Sequence, residues 1–175
     1  ERTSARIGFL EQRQFTALAS SASMIYGFTD DLFLGTTVIH SFRPPSLEEL
    51  YSEGPHLAAY SFEIGNPQLD AERGLGLELF LRYNTNRIQT QFTGYSNRFS
   101  NYLYARDTGE QSISDPSLNN FQFVGARAHF LGIEFSGQVQ ITKGLTAGGT
   151  LSYTFAERDV SEEERNITRF EETTR

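Results

Sequence analysis

The amino-acid sequence predicts an all-β fold: an antiparallel transmembrane β-barrel segment of about six strands. Three observations point there. Apolar and polar residues alternate with a period of two over long stretches, the composition favours sheet over helix, and the connections are short and long by turns. The 175 residues include 15 Phe, 8 Tyr and 15 Gly beside one Met and no Trp. Aromatic side chains suit a pleated surface, and Gly is costly inside a helix. No segment repeats its apolar residues at helical spacing over ~11 residues, and no run approaches the ~18 apolar residues of a membrane helix. A membrane strand needs only ~9–11 residues with every second one apolar, so low mean hydropathy is no objection to it.

The first hairpin runs from about Phe15 to Phe28, turns at Thr29-Asp30-Asp31, and returns with Leu32, Leu34, Thr36, Val38, His40 and Phe42 on one face. In the second, Leu75, Leu77, Leu79, Leu81 and Tyr83 alternate with Gly74, Gly76, Glu78 and Arg82, and Phe80 interrupts the polar face. Asn84-Thr85-Asn86 turns the chain into a strand from about Ile88 to Tyr104, whose Phe92, Tyr95, Phe99, Tyr102 and Tyr104 fit an interfacial aromatic girdle. The third is the clearest. Leu131, Ile133, Phe135, Val139 and Ile141 oppose Glu134, Ser136, Gln138 and Gln140; Thr142-Lys143-Gly144 turns; and Leu145, Ala147, Gly149, Leu151, Tyr153 and Phe155 resume the alternation.

Turns near 29–31, 84–87 and 142–144 are brief, whereas about 43–72 and 106–125 read as long connections. Outer-membrane barrels show this asymmetry between their two sides. Lipid offers no hydrogen-bond partners, so a spanning sheet must close, and six strands do not close around a channel. The segment therefore reads as part of a larger barrel. Two other readings stay open: a small structural or adhesive outer-membrane barrel with no transport role, and a soluble sheet module. Against the first, Phe170 to Arg175 lacks an alternating, aromatic-ended last strand. Glu1-Arg2-Thr3-Ser4 is not a signal peptide, and the charged tail from Glu157, with Asn166-Ile167-Thr168, reads as a solvated loop and not a glycosylation site.

With 15 Lys and Arg against 22 Asp and Glu, a formal charge of −7 gives no footprint for nucleic acid. No cysteine is present, which excludes thiol chemistry and disulfides. The three histidines have no evident Ser or Asp partners, and no Gly-x-Ser-x-Gly elbow occurs, so no enzyme is expected.

The most informative stretch is Ser41-Phe42-Arg43-Pro44-Pro45-Ser46-Leu47-Glu48-Glu49-Leu50-Tyr51, followed by Gly54-Pro55-His56-Leu57-Ala58 and by Phe62-Glu63-Ile64-Gly65-Asn66-Pro67-Gln68-Leu69. Pro44-Pro45 cannot continue a ladder, Ser46 with Glu49 makes a capping box for one helical turn, and Gly65-Asn66-Pro67 turns the chain back. This stretch resembles the barrel of TonB-dependent outer-membrane receptors, in which a strand ends in Phe-Arg-x-Pro and Gly-Asn-Pro-x-Leu precedes an acidic position, here Asp70-Ala71-Glu72. Tyr95-Ser96-Asn97-Arg98 and Phe130-Leu131-Gly132-Ile133-Glu134 continue the resemblance, which spans about Phe15 to Phe155. Gly54 to Ala58 and Asn97-Arg98-Phe99 look most like the zinc-uptake branch, although receptors for iron chelates or haem share the frame.

The resemblance implies a 22-stranded plugged barrel in a Gram-negative outer membrane that imports a metal ion or metal chelate, zinc favoured. Its implied partners are membrane lipid, the substrate, and a TonB energy-coupling complex acting through a plug; no cofactor is implied. Residues 1–175 then form part of the barrel domain, with the plug and the C-terminal strand absent. His56, with Glu53 and Glu63 close in sequence, supplies nitrogen and oxygen ligands suited to zinc. His40 and His129 are expected as girdle or loop residues, Glu48-Glu49 as a helix-start feature, and Glu78, Arg82, Glu134 and Gln138 as a solvated or plug-facing lumen.

Overall fold

The computed structural model describes residues 13–161 and 164–165. The expectations for Glu1 to Ser4, Asn166 to Thr168 and Phe170 to Arg175 fall outside them. Six long strands form an open antiparallel sheet: β1 (Ser20–Gly27), β2 (Leu32–Arg43), β5 (Glu72–Asn84), β6 (Ile88–Gln111), β7 (Asn119–Thr142) and β8 (Leu145–Arg158). The three hairpins expected from alternation are all present, with β2 paired to β5 and β6 to β7. Between β2 and β5 lie a helical turn α1 (Leu47–Tyr51) and two short strands, β3 (Glu53–His56) and β4 (Ser61–Ile64), which bring the total to eight.

The register makes the sheet two-faced. Tyr26, Leu34, Leu81, Phe92, Phe135 and Leu151 lie in one row across six strands; Ala22, Val38, Leu77, Ser96, Leu131 and Phe155 share their face. On the opposite face, Ser23, Thr37, Glu78, Tyr95, Gly132 and Thr154 form one row, and Phe33, Arg82, Gln91, Ser136 and Thr150 lie in another. The apolar face is bare: Leu79 is 50% exposed and Leu151 73%. A hydrophobic surface of this extent is covered by lipid or by a partner in any stable state.

Glu78, Arg82, Glu134 and Gln138 share the polar face as expected, with Arg82 donating to Gln91 (2.9 Å) and Gln138 to Gln89 (2.6 Å). Phe80, which interrupts that face in sequence, lies opposite Gly35, and a Cβ on Gly35 would collide with the ring. Gly35 is therefore the hollow into which Phe80 packs.

Two expectations require correction. The connection read at 106–125 is mostly strand: β6 runs to Gln111, β7 starts at Asn119, and a short loop remains. The aromatic girdle is also not on the apolar face. Tyr95 lies opposite Gly132 with its hydroxyl 2.8 Å from Thr154, on the polar face, and Phe99, Tyr102 and Phe130 cluster there with ring centroids 5.4–5.7 Å apart. Tyr95 and Phe99 stand at odd spacing from Phe92 and so take the other face, and a bulge between Phe99 and Tyr102 adds one residue that returns Tyr102 and Tyr104 to that same face. Of the five residues assigned to the girdle, Phe92 alone lies on the apolar face.

Candidate ligand-binding loop

The loop at 43–72 is built on its own small core. Leu50 from α1, Leu69 and Leu103 from β6 are buried together, with Tyr51 and Phe123 packed against them. Pro44 and Pro45 end β2, and α1 begins at Ser46 with both arms of the capping box made: the Glu49 amide donates to Ser46 Oγ (3.2 Å) and the Ser46 amide to Glu49 Oε2 (2.7 Å). Glu48 and Glu49 both lie in the first turn of α1, and of the two it is Glu49 that closes the capping box.

The feature missed in the sequence is the clamp made by Arg43. Its guanidinium donates to both oxygens of Glu49 (2.8 and 3.1 Å) and to Glu72 (3.2 Å), joining the last residue of β2, the helical turn and the first residue of β5. Glu72 also accepts from the Leu103 amide at 3.1 Å. Partial burial pushes the Glu49 carboxyl up, but the hydrogen bonds from Arg43 and the Ser46 amide, with the charge of Arg43, outweigh it and hold the group below the usual glutamate range. The Phe-Arg-x-Pro motif and the capping box each named one half of this clamp; only their proximity in space shows them to be one unit.

The return leg is equally fixed. The Asn66 amide donates to the Glu49 carbonyl (2.8 Å), the Gly65 amide to the Ser52 carbonyl (2.7 Å), and the Asn66 side chain to the Phe123 carbonyl (3.3 Å). A Cβ on Gly65 would meet the Leu50 and Tyr51 backbone at 2.5–2.7 Å, which is why a side chain is excluded there.

The α1 side and the return leg carry β3 and β4 between them. These strands pair antiparallel, and β4 adds in parallel to β7, with Ser61 opposite Asn119 and Ile64 opposite Gln122. The pleat decides which candidate ligands can meet. His56 and Glu63 fall on one face of the hairpin, with His56 Nδ1 2.6 Å from Glu63 Oε1. Glu53 lies opposite Ile64, a position of the other parity, so its side chain starts from the other face. Among the described residues no group of three or more His, Cys, Asp or Glu side chains is arranged to hold a metal ion.

Tyr60, with φ of 50°, closes the 3-10 turn Leu57–Ala59 beside this pair, and Leu57 and Tyr60 are among the most exposed apolar residues of the loop. The other histidines are elsewhere. His40 contacts the Leu18 carbonyl (2.9 Å) and His129 contacts Ser96 Oγ (2.9 Å), both from the apolar face at the loop end of the sheet.

Solved structures share this fold. The copper transporter OprC matches with a TM-score of 0.63 and 18% identity over 78% of this chain and 20% of its own. The siderophore receptor PirA from Pseudomonas aeruginosa matches with a TM-score of 0.65 and 20% identity over 81% of this chain and 28% of its own. A ferric enterobactin receptor from Pseudomonas aeruginosa matches with a TM-score of 0.57 and 18% identity over 78% and 22%. The chain thus spans about a fifth to just over a quarter of these proteins. At such identities the likeness is one of fold. The family model described as TonB dependent receptor-like, beta-barrel, matches residues 2–173, and the chain belongs to that family.

Proposed function

We propose that the chain is the part of an outer-membrane receptor's wall that carries a substrate-facing loop, in a protein that imports a metal ion or a metal chelate from outside the cell. The two-faced sheet carries this reading. Its apolar face is continuous over six strands and unpartnered, as a face against lipid must be, and its opposite face carries Glu78, Arg82, Gln91 and Glu134, as a face toward a hydrated or plug-filled lumen must. From Leu75 to Tyr83 the strand covers about 27 Å at ~3.4 Å per residue, or about 20 Å of height at ~40° tilt, close to the apolar band of a bacterial barrel. Transport, with no catalytic step, is part of this reading. Energy coupling through a plug and a TonB complex belongs to the same proposal.

Among substrates we favour zinc, on the chemistry of His56. A carboxylate oxygen accepts, so Nδ1 carries the hydrogen shared with Glu63, and in the neutral ring this leaves Nε2 its lone pair on a side chain that is 56% exposed. A carboxylate holding the far nitrogen of a metal-binding imidazole is a common outer-shell arrangement. Glu63 then orients the ring or, on rotation, supplies an oxygen. The remaining ligands, Glu53 included if the hairpin repacks, come from elsewhere in the receptor or from a chelator.

Calorimetry on the full receptor tests this. His56→Ala should weaken zinc binding at least about tenfold, as loss of a ligand does, and Glu63→Gln should weaken it about tenfold, as loss of an orienting partner does. Unchanged affinity in both variants would remove the loop from the site. Deleting the parent gene should lower metal uptake under starvation; unaltered zinc, haem and siderophore import would count against the transport reading itself.

A further inference from the structure

The clamp that starts the 43–72 loop has a definite spacing: an arginine at the end of a strand, a serine three residues on, and a glutamate three beyond that. The same spacing recurs where β8 ends, in Arg158, Ser161 and Glu164. The geometry recurs with it. Glu49 and Glu164 each donate their amide to the serine Oγ at 3.2 Å, and the next amide, of Leu50 or Arg165, donates to the serine carbonyl at 3.1 Å. In both, the strand-ending arginine binds the glutamate carboxylate. Both arginines stand on the polar face, Arg43 in line with Thr37 and Arg158 in line with Thr154. Each strand therefore ends in a helical turn that a serine starts and an arginine draws toward the polar side.

The two turns differ in where they are fastened. The first is tied to the adjacent β5 through Glu72, whereas the second passes over β7 to β6, two strand spacings or ~10 Å away. Glu164 accepts from the Tyr104 hydroxyl at 3.0 Å, the Arg158 guanidinium lies over the Tyr104 ring 4.0 Å from its centroid, and Arg106 donates to Ser161 Oγ at 3.4 Å. Glu164 is buried, 8% exposed, and these bonds offset the loss of its hydration. Tyr104 and Arg106 lie opposite Val124 and Gln122 of β7. The edge of that same stretch is held by the 43–72 loop, through Ile64 opposite Gln122 and the Asn66 side chain on the Phe123 carbonyl. The turn and the loop thus meet on one short length of β7. Resting on the reading of the polar face as the lumen, we propose that Arg158, Ser161, Glu164 and Tyr104 form an anchor that directs the chain after β8 inward, across the lumen mouth, and places it beside the substrate-facing 43–72 loop.

The test uses the full receptor in detergent and follows trypsin cleavage after Arg165 by mass spectrometry. Glu164→Ala should speed that cleavage at least about tenfold, and Tyr104→Phe or Glu164→Gln, each of which removes one arm of the anchor, about threefold. Glu157→Gln, which faces His129 on the apolar side, should leave the rate unchanged. Spin labels on Gln68→Cys and Arg165→Cys read the placement. They should report one narrow distance with Glu164 in place and a broad distribution in Glu164→Ala.

A cleavage rate unmoved in both Glu164→Ala and Tyr104→Phe, equal acceleration in Glu157→Gln, or a label distance already broad with Glu164 in place would each overturn the proposal. Heat-modifiable gel migration of the same samples separates the anchor from the reading beneath it. With the shift present and cleavage insensitive, only the anchor fails; with no shift in the unaltered receptor, the barrel reading and the inward direction fail together.

Discussion

Glu49 shows how one side chain can serve two devices. Its carboxylate closes the capping box on the Ser46 amide and receives both forks of Arg43, and glutamine can do the first but not the second. Glu49→Gln therefore separates charge from capping. Because Arg43 is 44% exposed, solvent screens the pair, and the substitution should cost about 1 kcal/mol of loop stability, seen as faster proteolysis within 43–72. The pH dependence has a definite sign. A carboxyl held below its ordinary range in the folded loop contributes stability at pH values above that range, and loses it as pH falls through the lowered value. Wild-type loop protection should thus decline on acidification below the usual glutamate range, whereas the Gln variant, already lower at neutral pH, should lack this component of the decline.

At the level of elements, the loop and the sheet are stabilised by different things. The buried cluster of Leu50, Leu69 and Leu103 lies beneath the loop, while the membrane-height part of the sheet keeps its apolar residues bare. Leu50→Ala should cost the loop about 2–3 kcal/mol and open it to protease while leaving heat-modifiable migration of the barrel unaltered. Loss of that migration would mean that loop and sheet fold as one unit. The same division explains what the sequence reveals. The six long strands are legible because one face must be apolar and the other polar, which imposes a period of two. Where Arg106, Asp107, Thr108, Gly109 and Glu110 continue β6, five residues pass without an apolar one and the register breaks between Asp107 and Gln111, so the alternation vanishes although the strand goes on. Strands β3 and β4 were hidden for another reason: Gly54 and Pro55 are poor strand formers, and the pairing of β4 is to a strand more than fifty residues away. Of the site, His56 with Glu63 was legible as chemistry, but the separation of Glu53 from them depends on a register that no local pattern announces.

For the whole molecule, the decisive quantity is which face meets lipid. An arginine at Leu79, the middle of the apolar rows, should destabilise the barrel by about 2–4 kcal/mol in lipid, whereas glutamine at Glu78, one residue away on the polar face, should cost under about 1 kcal/mol. Reversible urea unfolding in vesicles measures both, and equal costs would mean that the sheet is wetted on both sides. The pairing of β4 with β7 has a consequence at this scale as well. β6 takes one edge of β7, and β8 takes the other from Ala128 downward; β4 occupies that second edge again at Asn119 to Gln122. The upper backbone groups of β7, at Asn119 to Gln122, are therefore already taken by β4 and are closed to β8. The loop acts as a stop that sets how tall the wall can grow at this seam, and it shields an exposed strand edge that would otherwise recruit another chain.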